Sequence, residues 1–348
     1  MNRLLISLLG AAAGTSYAAV LPQVSGVPQT SGGPPQPSGV PQIPPTGVSR
    51  ARTSPPPSCL TVGATGQYHT VGAALSALGS STLPACIYIA QGIYPEQIVV
   101  SYRGPLTVYG ETTDTSSYKA NTVTITHTIS SQEAGTLDDS ATLRVRSKGF
   151  KMHNVNVVNG LGPGAQALAL SADAPQLGFY GCQFRGYQDT VFTKTGSQFF
   201  YKSLIEGSVD YIFGGSAAWF DQCDIRSNSP GYITASGREV ADSSWLAFDR
   251  CTIGGIGNAN LKGLVNLGRP WRPLARVIYQ NSELSDVVSP KGWTPMAKDA
   301  TPFFYEFGNT GEGSNTSQRE YLSPINAAVT IETVLGPDAN TWVEKPSF

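Results

Sequence analysis

The sequence predicts an all-β protein, a right-handed parallel β-helix with a short capping helix at its N-terminal end. Three observations carry this expectation. First, 38 glycines stand against three methionines in 348 residues, amid abundant Thr, Val, Ile, Tyr and Phe, a composition of turn-rich β structure. Second, small or apolar residues form a column, Val155, Cys182, Ser203, Cys223, Cys251 and Ser282, at spacings of 27, 21, 20, 28 and 31. Third, each member is flanked alike. Three positions before it stand Met152, Phe179, Phe200, Phe220, Phe248 and Tyr279, and two positions after it Val157, Phe184, Ile205, Ile225, Ile253 and Leu284.

The odd step between the two apolar sets breaks strict alternation, and the intervening pairs, such as His153-Asn154, Asp221-Gln222, Asp249-Arg250 and Gln280-Asn281, are mostly polar. The chain must turn a corner there. A strand, a corner and a strand recurring in register is the pattern of stacked coils, each burying its face on its neighbours. A propeller needs blades of roughly 40 residues, and a sandwich does not keep one column in register over six units. Upstream, Val71, Ala74, Leu75 and Leu78 repeat at helical spacing before the first good strand, Cys86-Ile-Tyr-Ile-Ala90, so one amphipathic helix should cap the coils.

The flanks read differently. Arg3, the apolar run from Leu4 to Gly14 and the small-x-small site Ser16-Tyr17-Ala18 make residues 1–18 a secretory signal. Its apolar run is shorter than the roughly 20 residues that cross a bilayer, so no membrane partner is expected. Residues 19–57 form a Pro/Gly/Ser-rich disordered linker, because 11 of the chain's 25 prolines fall between 21 and 57 and such a stretch cannot bury enough surface to order itself. Ordered sequence begins near Cys59, which leaves 58–348 as one domain. With 23 Lys+Arg against 24 Asp+Glu, no basic excess exists for a nucleic-acid partner. The expectation is a secreted, extracellular monomer.

Five cysteines are an odd number for a secreted chain. Cys59 and Cys86 fall in the first two strands and form the candidate bridge. Cys182, Cys223 and Cys251 share the interior column. Two coils, about 9.6 Å, separate Cys182 from Cys223, beyond the ~7 Å bridging limit. Cys223 and Cys251 are close enough to pair, but free thiols are the preferred reading.

The repeat also points to chemistry. Asp189 lies seven residues after Cys182, and Asp210 seven after Ser203, so the two carboxylates should sit on one face of adjacent coils, about 4.8 Å apart in strand spacing. Like charges so placed disfavour double ionisation, which leaves an acid beside a base or nucleophile. The competing reading is that both aspartates cap turns. Asp221, Asp224, Asp242 and Asp249 read as structural.

At these residues the chain resembles the pectin methylesterases (pectinesterases), of the fungal secreted type, from about residue 60 to the end. The segments Gly92-Ile-Tyr-Pro-Glu96, Gln166-Ala-Leu-Ala-Leu170, Gly186-Tyr-Gln-Asp-Thr-Val-Phe192, Val209-Asp-Tyr-Ile-Phe-Gly214 and Leu267-Gly-Arg-Pro-Trp271 look like that family's five signatures, in order. The resemblance implies a right-handed parallel β-helix that hydrolyses the methyl esters of pectin (homogalacturonan) through an aspartyl acyl-enzyme, without metal or organic cofactor. It implies Asp210 as nucleophile, Asp189 as general acid/base, Gln166 and Gln188 as oxyanion donors, Arg269 as the partner of Asp210, and Trp271, Tyr187 and Phe213 as substrate-binding residues.

Two departures stand out. Ser203 occupies a position where many relatives carry cysteine, and Met296 a position where a second tryptophan often follows Trp293. Rival chemistry lacks its residues: the three histidines, His69, His127 and His153, lie near no Gly-x-Ser-x-Gly elbow, and no close His/Cys pairing suggests a metal. Two alternatives remain. A β-helical pectin glycosidase or lyase would also use paired carboxylates, and a non-catalytic carbohydrate-binding β-helix would use neither. The one sequon, Asn315-Thr-Ser317, falls in a loop that tolerates a glycan.

Overall fold

A computed structural model describes residues 50–257 and 260–344. Residues 1–18, the expected signal, and residues 19–49 of the expected linker lie outside the described residues. Parallel strands stack in ten layers along one sheet, Leu60–Val62, Ala85–Ile89, Leu106–Gly110, Lys151–His153, Leu177–Tyr180, Ser197–Tyr201, Ala217–Asp221, Leu246–Asp249, Arg276–Gln280 and Phe303–Phe307. A second, 13-stranded sheet carries the remaining strands. Each strand pairs with its counterpart one coil later, as in Phe179↔Phe200↔Phe220↔Phe248↔Tyr279. This is the right-handed parallel β-helix, the hand that a crossover between parallel strands takes.

The predicted column is the interior. Phe179, Phe200, Phe220, Phe248 and Tyr279 stack with centroids 4.8, 4.6, 4.6 and 4.5 Å apart, so strand spacing and ring stacking agree. The polar pairs are the corners. Asn154, Lys202, Gln222, Arg250 and Asn281 each take a left-handed φ between 45° and 54°, and each donates its N–H to the next coil, Asn154 to the Tyr180 carbonyl and Arg250 to that of Gln280. The corner therefore turns the chain without orphaning a buried donor.

The helix Val71–Ala77 buries Val71 and Ala74. Thr70 caps it by accepting from Ala73, and Glu96 accepts from the N–H groups of Val71 and Gly72, which satisfies its first donors. Cys59 and Cys86 form a disulfide, because the pairing Leu60↔Ile87 sets them side by side. Cys182, Cys223 and Cys251 are buried and free. Ser203, in the cysteine-like position, accepts the backbone N–H of Cys182 at 3.0 Å.

Two features differ from expectation. The ordered body starts before residue 58: Arg52 exchanges two backbone hydrogen bonds with Thr112, its guanidinium donates to the Gly110 carbonyl and to Asn154, and it lies 4.8 Å from the Tyr109 ring centre. Proline content drew the boundary at 57, yet Arg50-Ala-Arg-Thr53 is proline-free and can pair with an edge. The C-terminal helices Ile331–Leu335 and Ala339–Trp342 were also not foreseen. They cover the ten-stranded sheet, packing Ile331, Val334, Leu335 and Trp342 against Phe199, Trp219 and Ile278.

Candidate active site

Asp189 and Asp210 come together as the repeat predicts. Gln166, Gln188 and Val209 pair in parallel from coil to coil, and Asp189 donates its N–H to the Val209 carbonyl at 3.0 Å. Both aspartates are left-handed, with φ of 65° and 53°, a conformation that aspartate tolerates better than most residues. Each sits at a corner of its coil. Beneath them Gly207 is required, since a Cβ there would lie 2.3 Å from that of Tyr211.

The strand Leu204–Gly214 runs unbroken through the Asp210 corner. Beyond it, Phe213, Ala235 and Arg269 stand in register across three coils. From the third, Arg269 reaches back to Asp210 and grips both oxygens, Nε to Oδ1 at 2.9 Å and Nη2 to Oδ2 at 2.7 Å, the fork-on-carboxylate geometry that only arginine offers. The Gln166 amide donates to Asp189 Oδ2 at 2.7 Å. The Gln188 side-chain amide has no partner among the described residues, so its donors remain open.

A cavity of about 70 Å³ is lined by Leu137, Gln166, Asp189, Asp210, Phe213, Ala235, Trp271 and Met296. Both aspartates thus face a cavity rather than the interior, against a purely turn-capping role. Phe213 stacks on Phe192 at 4.5 Å between centroids, and Trp271 meets both rings edge-on at 6.4 and 5.8 Å. Tyr187 is half-buried and does not line this cavity. A larger cleft of about 350 Å³ beside the helix Val71–Ala77 offers no carboxylate or imidazole, so size is a poorer guide here than chemistry.

Electrostatics separates the two carboxyls. Burial, and then the Asp210 charge, push Asp189 up to about 7, against smaller pulls from Gln166 and Arg269. Burial also raises Asp210, while the hydrogen bonds and charge of Arg269 hold it down. Asp210 is therefore the one that ionises first, leaving a protonated Asp189 beside it. The other aspartates are structural: Arg250 grips Asp221, Gln280 and Asn281 donate to Asp249, Arg226 pairs with Asp224 and Arg238 with Asp242. Among the described residues no three His, Cys, Asp or Glu are grouped as a metal site requires.

Sequence reasoning missed Leu137 and Ala235 in the cavity wall and Phe192, which stacks on Phe213; Met296, singled out in the sequence as a departure from the family pattern, does line the cavity. A signal existed for Phe192, which follows Cys182 by ten residues as Phe213 follows Ser203. Leu137 comes from a segment outside the repeat and carried none.

The chain's similarity to known proteins agrees with this geometry. A family model described as Pectinesterase matches residues 59–336. Pectinesterase A of Emericella nidulans is 61% identical over 295 residues, covering 84% of this chain and 91% of that protein. A probable pectinesterase A of Aspergillus fumigatus is 60% identical over 294 residues with the same coverage. The crystal structure of the pectin methylesterase from Aspergillus niger superposes with a TM-score of 0.84 at 59% identity, covering 85% of this chain and 99% of that one.

Proposed function

The chain belongs to the pectinesterase family and hydrolyses the methyl esters of pectin, and we propose that it does so through an acyl-enzyme on Asp210. The observation that carries this reading is the stacked pair itself: a carboxyl held near neutral pKa, Asp189, beside a carboxylate fixed by a two-pronged guanidinium, Asp210.

The chemistry runs as two displacements. An oxygen of ionised Asp210 attacks the ester carbonyl carbon, and the carbonyl π electrons move onto oxygen. Gln188, with both amide hydrogens open, and Gln166, with one to spare beyond its bond to Asp189, supply neutral donors to that oxyanion. When the intermediate collapses, the carbon–methoxide bond breaks and the Asp189 proton goes to the leaving oxygen, which departs as methanol. Asp189, now ionised, takes a proton from water as the water oxygen attacks the galacturonyl carbonyl carbon of the anhydride that joins it to Asp210. Cleavage of the bond to Asp210 frees the galacturonic acid carboxyl, which gives its remaining proton to solvent and becomes the carboxylate, and returns the Asp210 charge to Arg269. Trp271, half-buried at the cavity wall, offers an aromatic face for a sugar ring, with the buried Phe213 packed behind it edge-on; Tyr187 lies outside that cavity.

Secretion follows from the signal-like residues 1–18, and a spacer role from the proline-rich linker. Asn315 is exposed, which suits glycosylation. No helix among the described residues is long and apolar enough to cross a membrane. The test of the mechanism is Asp210→Asn against wild type on highly esterified pectin: methanol release should fall by at least about a thousandfold, and a variant that keeps more than a tenth of the rate would remove Asp210 as nucleophile.

A further inference from the structure

The Arg269 guanidinium has a second partner, which the reaction scheme above does not use. Its ζ carbon lies 4.0 Å from the centre of the Tyr232 ring. Tyr232 belongs to the strand Asp224–Ser236 and pairs with Val209 on one side and Asn266 on the other, so it occupies the coil between Asp210 and Arg269. Arg269, opposite Ala235, must extend across that whole coil to reach Asp210. A side chain with four rotatable bonds, about a fifth exposed at 22%, gives up conformational freedom to form those two hydrogen bonds, and a surface that holds its guanidinium beforehand lowers that cost.

We propose that Tyr232 is a positioning residue of the reaction, its ring being the floor on which the Arg269 guanidinium lies so that Nε and Nη2 present to Asp210 in one plane. The inference rests on the reading of Asp210 as nucleophile. It also answers a difficulty in that reading. Once Asp210 is acylated it is neutral, and Arg269, half-buried, loses its hydrogen-bonded counter-charge and keeps only the charge of the newly ionised Asp189, to which it donates no hydrogen bond. The electron-rich face of Tyr232 still faces the cation at that moment and limits the cost of the intermediate. A hydroxyl is not needed for either task.

The charged and titratable groups around Asp210 are Asp189 from the preceding coil and Arg269 and Tyr232 from the following ones. Of these, Arg269 is the one that favours the Asp210 carboxylate. Loosening Arg269 should therefore raise the pH at which Asp210 ionises, which a purely structural loss would not do.

The experiment measures kcat, KM and the pH profile of kcat/KM on esterified pectin for Tyr232→Leu, Tyr232→Phe and Asp210→Asn in the full chain. Tyr232→Leu should lower kcat by roughly three- to thirtyfold, the range a half-desolvated cation–π contact supplies, leave KM within about twofold, and move the acid limb to higher pH. Tyr232→Phe should restore both kcat and the limb. Equal losses in the two variants would overturn the proposal in favour of the hydroxyl, and a change in KM alone would make Tyr232 a substrate wall. An inactive Asp210→Asn beside a wild-type Tyr232→Leu would sink this inference only, whereas an active Asp210→Asn would remove the reading beneath it. If Tyr232→Leu does not fold, Tyr232→Val serves, judged by the same limb.

Discussion

Burial makes Asp189 both the carboxyl of the site that keeps its proton and a drain on stability. Its carboxyl ionises near 7 in the fold against an ordinary value near 4, so the folded protein holds a proton that the unfolded chain gives up. That contribution to stability is complete below about pH 4 and is lost as pH rises through 7. Asp189→Asn carries no such charge. Its melting temperature relative to wild type should therefore climb by a few degrees between pH 4 and pH 8 while activity falls by orders of magnitude; a difference that stays constant with pH would contradict the burial argument. Arg269→Lys should lose about a hundredfold in kcat despite conserving charge, because a point charge cannot hold both oxygens of Asp210. Retention of most activity in a methanol assay would remove Arg269 from its role. At this scale the sequence was readable where the repeat offset repeats: seven residues after the column found both aspartates. The donors Gln166 and Gln188 and the partner Arg269 were reached only through the family resemblance, since no spacing rule picks an amide or guanidinium from other polar residues on a coil.

Coils were readable where strand and corner recur without interruption, from Lys151 to Leu284. The earlier coils, Leu60–Val62, Ala85–Ile89 and Leu106–Gly110, obey the same register, but the helix Val71–Ala77 and the excursions at 111–122 and 128–142 separate them and hide the period. The C-terminal helices have five and four residues, too short for periodicity to show. Their burial of Trp342 and Leu335 became visible only in the fold. Two predictions belong here. Deletion through residue 49 should leave the melting temperature unchanged, while deletion through residue 57 should lower it by several degrees, because the second removes the Arg52 clasp on Thr112, Gly110 and Asn154; equal temperatures would mean that the clasp contributes nothing. Cys86→Ser should cost about 3 kcal/mol by releasing a loop of 27 residues, read as a lower denaturation midpoint in urea with unchanged kcat.

Across the whole molecule, the β-helix turns distance along the chain into layers. Gln166, Asp189, Asp210, Ala235 and Arg269 are spread over about a hundred residues yet meet in successive coils. The Phe and Tyr stack keeps those coils in fixed register, which holds a carboxyl pair and its guanidinium in place. The central claim is that this pair attacks an acyl carbon and not a sugar carbon. It is tested most directly by following methanol and reducing ends together on one sample of highly esterified pectin, with enzyme free of other hydrolases. Methanol should accumulate with no new reducing ends and no fall in polymer length, and both signals should be absent with Asp210→Asn. Reducing ends rising in step with methanol would mean that the carboxylates cut glycosidic bonds, and the account of the site would be wrong.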